Sequence, residues 1–355
     1  MTATPAAARG AGARRVPVTF SSSDGRTQVR GSVWLPEPAG APRGEGAGRT
    51  EPRALVQIVH GMCEHVGRYD DFARFLARRG LAVCGHDQIG HGESAPPGRR
   101  GCLPPDGADY LVRDVQLMAE CAQRLLRAEA GRSPAPCETA DQAEASGGDV
   151  PRVLLGHSMG SFVARVCAAR SGDGLAGVVV SGTGHVAPAV SRFGNALARA
   201  VCALRGPDAH SELLHALADG AYSRDVRDAR TPFDWLSHNV ANVDGYIADE
   251  ACGFPFSAGG YATLTDLTAR ACSPACARTT PHDLPFLIVS GADDAVGAHG
   301  KGVLRTQRLL REAGVANVRT VLYDGMRHEI LNEDGRERVY SDVADWVDEV
   351  LRALG

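Results

Sequence analysis

Six short apolar runs constrain this chain more than any other feature. They fall at residues 54–59, 81–85, 153–155, 175–181, 285–290 and 318–323. Segments with helical spacing lie between them. In 68–79, Phe72, Phe75 and Leu76 share a face. In about 109–128, Leu111, Val115, Met118, Ala122 and Leu125 form a stripe. Helices are also expected near 300–313 and 335–354. Short apolar strands alternating with amphipathic helices require a mostly parallel central sheet with helices on both faces, an α/β fold. Two further strands, 16–20 and 27–35, flank the turn Ser23-Asp24-Gly25. A length of 355 residues with 44% apolar content can bury such a core.

The rhythm breaks once. Residues 183–280 hold helical, aromatic and turn-rich pieces with no clear strand, which predicts a mainly helical cap inserted at the carboxyl end of a strand. The expected organisation is a disordered tail at 1–14, the first part of the core at 15–182, the cap at 183–280 and the second part of the core at 281–355. Residues 131–150 are polar, acidic and small, and read as a surface loop. Ligands of open α/β sheets bind outside the carboxyl ends of the strands, where Gly61, Asp87, Ser158, Asp294 and Asp324 fall.

One of these positions carries a chemical signature. Gly156-His157-Ser158-Met159-Gly160 follows an apolar strand and precedes a helical segment, the context of a nucleophile elbow. A serine nucleophile needs a base, an acid that orients the base, and donors for an oxyanion. His328 follows the last strand in Tyr323-Asp324-Gly325-Met326-Arg327-His328 and is the candidate base. Asp293 and Asp294 follow the strand before it, and either can orient a histidine. The candidate oxyanion donors are the backbone N–H groups of Met159, at the start of the elbow helix, and Met62, in the loop after the 54–59 strand. His60, His65, His86 and His91 lack a helical metal-binding pattern and are read as hydrogen-bonding their loops, with no metal and no cofactor expected.

Composition removes other classes. A net charge of −4 gives no electrostatic case for nucleic acid. Ten irregularly spaced cysteines in a chain of this length suggest free thiols and a cytoplasmic location. Arg14-Arg15 is followed by no hydrophobic region of the kind an export signal needs, and no run is long enough to span a membrane.

Five motifs in order now carry a resemblance: His60-Gly61-Met62-Cys63-Glu64-His65, Asp87-Gln88-Ile89-Gly90-His91-Gly92-Glu93-Ser94, the elbow, Ser290-Gly291-Ala292-Asp293-Asp294-Ala295-Val296-Gly297 and Arg327-His328-Glu329-Ile330-Leu331-Asn332-Glu333. Together they resemble the monoacylglycerol lipase/lysophospholipase group of α/β-hydrolases, also called the serine aminopeptidase S33-like or hydrolase 4 group. In the cap, Phe233-Asp234-Trp235-Leu236-Ser237, Val243-Asp244-Gly245-Tyr246 and Cys252-Gly253-Phe254-Pro255-Phe256 are similar to bacterial lysophospholipases. The resemblance runs from about residue 17 to the end. It implies the α/β-hydrolase fold and the triad Ser158, Asp294 and His328, because the family's Asp-Pro-Val-Gly maps onto 294–297. Ala295 replaces the usual proline, and Cys63 a glycine in the oxyanion loop.

The cap offers one hint of substrate. Val190, Phe193, Leu197, Val201 and Leu204 fall on one helical face, with Arg192, Arg199 and Arg205 off it. This helix can simply pack on the body of the fold; the sharper reading has Phe193, Leu197 and Val201 lining an acyl pocket, or peripheral membrane contact through the cap with the arginines at the rim. The expected activity is hydrolysis of a lipid-like carboxylic ester, of monoacylglycerol or lysophospholipid type. An S33-type aminopeptidase would use acidic cap groups such as Asp225, Asp228, Asp234 or Asp244 to hold a substrate amine. An acyltransferase would share the triad, and a non-catalytic receptor would not need it.

Overall fold

The computed structural model describes residues 12–37, 51–131, 149–218, 220 and 222–354. Eight strands form one sheet: β1 (Gly12–Ser21), β2 (Gln28–Glu37), β3 (Leu55–Val59), β4 (Ala82–His86), β5 (Arg152–His157), β6 (Gly177–Ser181), β7 (Phe286–Gly291) and β8 (Val318–Tyr323). Their spatial order is β1-β2-β4-β3-β5-β6-β7-β8. β1 and β2 are antiparallel to each other, β2 is antiparallel to β4, and the remaining pairs are parallel. This is the mostly parallel sheet of an α/β-hydrolase.

Alternation along each strand divides the core. Val178 and Val180 face one side with Phe286 and Ile288, packed against α2 (Gly107–Glu129) and α3 (Met159–Ser171). Val179 faces the other side with Leu287 and Val289, against α1 (Asp70–Arg78) and α11 (Arg336–Leu354). Both faces are covered, so the strands read as unbroken apolar runs. Each fully buried Val, Ile or Leu contributes about 1.5–3 kcal/mol.

Among the described residues six helices join β6 to β7: α4 (Pro188–Arg205), α5 (Glu212–Ala218), α6 (Tyr222–Asp225), α7 (Val240–Ala248), α8 (Ala258–Ala271) and α9 (Pro274–Thr279). The last two pack into the body of the molecule. Tyr261, Leu267, Ala271 and Ala277 share a buried cluster with Phe162 and Val166 of α3. Arg165 of α3 is buried and donates to the Ala271 carbonyl at 2.6 Å, capping the end of α8. α10 (Lys301–Glu312) lies between β7 and β8.

Two sequence expectations change. β1 opens at Gly12, so Gly12, Ala13 and Arg14 pair with β2 rather than belonging to a tail; residues 1–11 and 132–148 lie outside the described residues. Among the described residues eight cysteines form no disulfide, but Cys121 is disulfide-bonded, which removes cysteine usage as an argument for a reducing compartment. Among the described residues no helix is long and apolar enough to cross a membrane.

Candidate active site

Ser158 sits between β5 and α3 with φ 52° and ψ −119°, a backbone conformation that costs a non-glycine residue about 1–3 kcal/mol. The flanking glycines explain how the turn is made. A Cβ on Gly156 would stand 2.2 Å from the Gly160 carbonyl oxygen, and one on Gly160 would stand 2.1 Å from that of Val59. Strand, elbow helix and the end of β3 meet too closely for any side chain there.

His328 follows β8 and is 1% exposed. Its Nδ1 lies 3.0 and 3.1 Å from the two carboxylate oxygens of Asp294. Asp294 is fully buried and also accepts from the Ser290 hydroxyl and the Val296 N–H, each at 2.9 Å. Asp293 points elsewhere: it is half-exposed and meets His238 Nε2 at 3.1 Å. Of the two aspartates left open by the local sequence, geometry therefore joins Asp294 to His328. Burial acts against charge at both groups, but each supplies the other's counter-charge. The Asp294 carboxyl is held below the ordinary carboxylate range and the His328 imidazole above its ordinary value. The neighbouring His157 is pushed down to about 4, first by burial and then by His328, and stays neutral at pH 7.

Beneath the loop after β3 lies a buried charge network. Arg68 donates to Glu64 at 3.1 Å, to both oxygens of Glu329, and to Asn242 of α7 at 2.9 Å. Glu64 accepts the Gly61 N–H at 2.5 Å and the Tyr69 hydroxyl at 2.7 Å. Burial alone would raise both glutamates; the Arg68 guanidinium holds both below their usual range. One guanidinium thus ties the loop after β3 to the histidine loop and to α7. Glu64 and Glu329 lie in the motifs quoted above, but their common partner Arg68 was missed, because only the fold brings the three together.

Ser158, His328, Met62 and Met159 all line one cavity of about 790 Å³. Its inner wall is largely buried and apolar, with Met159, Phe162, Leu236, Phe256 and Tyr261. Exposed Arg205, His210, Glu212 and His215 line the same cavity on the solvent side. Phe193, Leu197 and Val201, expected to line it, do not. Phe193 is 71% exposed, while Leu197 and Val201 pack on the core cluster that includes α8. Leu197 and Val201 dock α4 on the body, while Val190, Phe193 and Leu204 of the same stripe face solvent.

The histidines at and beyond the ends of β3 and β4 also differ in role. His60 accepts from the Gln88 N–H at 2.9 Å, whereas neither ring nitrogen of His86 finds a partner; burial pushes that imidazole down to about 4, and it packs edge-on to Phe20. His65, Asp249 and Cys252 form a cluster able to hold a cation. In this arrangement, however, His65 Nδ1 accepts the Gly67 N–H at 3.2 Å and Nε2 meets Asp249 at 2.9 Å, so both nitrogens are engaged within the protein.

Residues 50–335 match the family model described as serine aminopeptidase, S33. The chain is 28% identical over 326 residues to a monoacylglycerol lipase of Mycolicibacterium smegmatis, covering 91% of this chain and 94% of that one. It is 27% identical over 310 residues to the monoglyceride lipase of Mus musculus, covering 86% and 85%. A thermostable carboxyl esterase from Bacillus coagulans, solved in complex with glycerol, superposes with a TM-score of 0.79 at 23% identity, over 95% of this chain and 99% of that one, which shows the α/β-hydrolase fold.

Proposed function

The chain belongs to the serine aminopeptidase S33 family, and on that premise we propose that it is a serine hydrolase that cleaves lipid-like carboxylic monoesters through an acyl-enzyme on Ser158. One observation carries the reading. The strained elbow serine and the buried Asp294–His328 pair open onto one cavity with an apolar interior and polar groups on its solvent side. The relatives named as monoacylglycerol and monoglyceride lipases support an ester as substrate.

In this mechanism the Nδ1–H of His328 donates to Asp294, leaving Nε2 to take the Ser158 proton as Oγ attacks the ester carbonyl. The Gly61 N–H is committed to Glu64, so the oxyanion falls to the N–H groups of Met62 and Met159. Loss of one such donor costs about 2.7–4 kcal/mol in the transition state. The intermediate collapses, and His328 gives its proton to the leaving alcohol. A water then attacks the acyl-enzyme, with His328 as base, and releases the acid. Contact with a lipid surface would fall to the exposed residues of α4 and α5.

The aminopeptidase reading finds less support. Asp225 and Asp244 pair with His299 and Arg230, and none of Asp225, Asp228, Asp234 and Asp244 lines the cavity. A fluorophosphonate should label Ser158, and Ser158→Ala should lose both the label and turnover, by a factor on the order of 10⁶ in kcat. An unlabelled wild type, or a variant that keeps most of its activity, would overturn the proposal. Monoacylglycerols, lysophospholipids and an aminoacyl amide, assayed side by side, should rank the amide last.

A further inference from the structure

A buried histidine that takes up a proton during turnover needs that charge compensated from more than one direction. Asp294 meets His328 at Nδ1. Two rings also pack on the imidazole. One is His157 from the elbow, with centroids 4.7 Å apart and planes at 47°; the other is Trp235 from the cap, at 5.2 Å and 43°. We propose that Trp235 is a positioning residue for His328, its indole holding the imidazole in place and stabilising the imidazolium formed during acyl transfer. This rests on the reading of His328 as the catalytic base.

The backbone around Trp235 supports a fixed role. Arg327, just before His328, donates through its guanidinium to the carbonyl of Asp234, just before Trp235, at 2.6 Å. Glu329, just after His328, donates its N–H to the carbonyl of Leu236, just after Trp235, at 2.8 Å. The residues flanking one ring are thus bonded to the residues flanking the other. Glu333 completes the seam. It accepts the Arg327 N–H at 2.8 Å, the Ser237 hydroxyl at 2.7 Å, and the N–H groups of His238 and Asn239 at 2.8 and 3.1 Å. Trp235 itself lines the cavity and packs on Tyr222, with centroids 5.2 Å apart. An aromatic face near a desolvated cation is favourable, and Trp is the best of the side chains for it. His157 is a neutral ring and adds no competing charge.

The charged groups around His328 are Asp294 from the loop after β7, Glu329 from its own loop and Glu64 from the oxyanion loop, with His157 from β5 titrating nearby. Substitutions at Trp235 leave all four in place. The test compares wild type with Trp235→Leu, Trp235→Met and Trp235→Phe on a soluble p-nitrophenyl ester across pH. The two non-aromatic variants should lose roughly ten- to thirtyfold in kcat, with KM changing far less, and the acid limb of kcat/KM should move to lower pH. Trp235→Phe should recover most of the loss in both readouts. A folded Leu or Met variant with an unmoved acid limb, or with kcat within about twofold of wild type, would overturn the proposal. If neither folds, Trp235→Phe still decides, because a loss as large as tenfold at unchanged KM contradicts a role that any aromatic face should fill. Fluorophosphonate labelling of wild-type Ser158 separates the two claims: an unlabelled wild type refutes the hydrolase reading, whereas normal labelling with no effect at Trp235 refutes only this one.

Discussion

The segment between β6 and β7 presents two surfaces of opposite character. Residues 233–239 form a roof over the histidine loop, tied down by the Arg327 guanidinium and the buried Glu333 carboxylate. The arch formed by α4 and α5 makes few polar contacts with the body, such as Asn195 to the Ala262 carbonyl and Arg199 to that of Pro105. It instead exposes Phe193, Leu204 (85% exposed), Leu213 and Leu217. The roof consists of directional, buried polar bonds that fail abruptly when displaced. The arch consists of apolar contacts that tolerate sliding. The same segment between β6 and β7 therefore holds one stretch fixed by buried polar bonds and another fixed mainly by apolar packing.

Removing the seam should have the largest effect. Glu333→Ala leaves four donors around a buried site without their acceptor, and hydrogen bonds to a charged group contribute about 1.5–3 kcal/mol each without adding fully. The expected loss is about 3–5 kcal/mol of stability in denaturant titration, together with a fall in kcat. A variant within 1 kcal/mol of wild type would show that the roof is not held as described.

Acidification should act next, and it separates two effects of opposite sign. His328 has its pKa raised in the folded chain, so its contribution to stability is full below the unfolded imidazole value near 6.5 and is lost as pH rises through the folded value. Glu64, Glu329 and Asp294 have theirs lowered, so their contributions are present above the ordinary carboxylate range near 4 and are lost as pH falls below it. Activity should therefore fail on an acid limb lying above pH 6.5, tenfold per unit, while thermal stability persists until the carboxylates protonate. Coincident loss of activity and melting temperature would contradict this separation.

The arch should respond least. The double substitution Phe193→Ser with Leu204→Ser should shift stability by no more than about 0.5 kcal/mol and leave turnover of a short soluble ester within about twofold. Binding to phosphatidylcholine vesicles, followed by co-sedimentation, should fall. A large loss with the soluble ester would mean that the arch shapes the cavity after all.

The sheet was legible because buried parallel strands announce themselves as apolar runs: β3, β4 and β8 fall within a residue or so of their expected ends. The places of Ser158, Asp294 and His328 at strand ends were legible because an elbow requires glycines and the two other candidates follow apolar runs. The cap was not. The periodicity of Phe193, Leu197 and Val201 identified a helical face, but periodicity does not say whether a face meets a substrate, a neighbouring helix or water. Trp235 packs on His328, and Arg68, though four residues from Glu64, joins it to Glu329 across 261 positions, so no local pattern could assign either contact. The opening of β1 was missed for a related reason: Gly12, Ala13 and Arg14 join the sheet through backbone pairing and carry no apolar signal.

The docking of α8 and α9 on α3 also sets where this protein can be cut and rejoined. β6 and β7 run parallel as neighbours, so the chain must return from the top of the sheet to its bottom, and α8 and α9 make that return. The same stretch thus covers the histidine loop in its earlier part and makes the crossover at its end. A chimera that borrows a relative's lid should keep Ser257, which caps α8, and everything after it from the recipient. Grafting the whole of 183–280 would replace part of the recipient's own core.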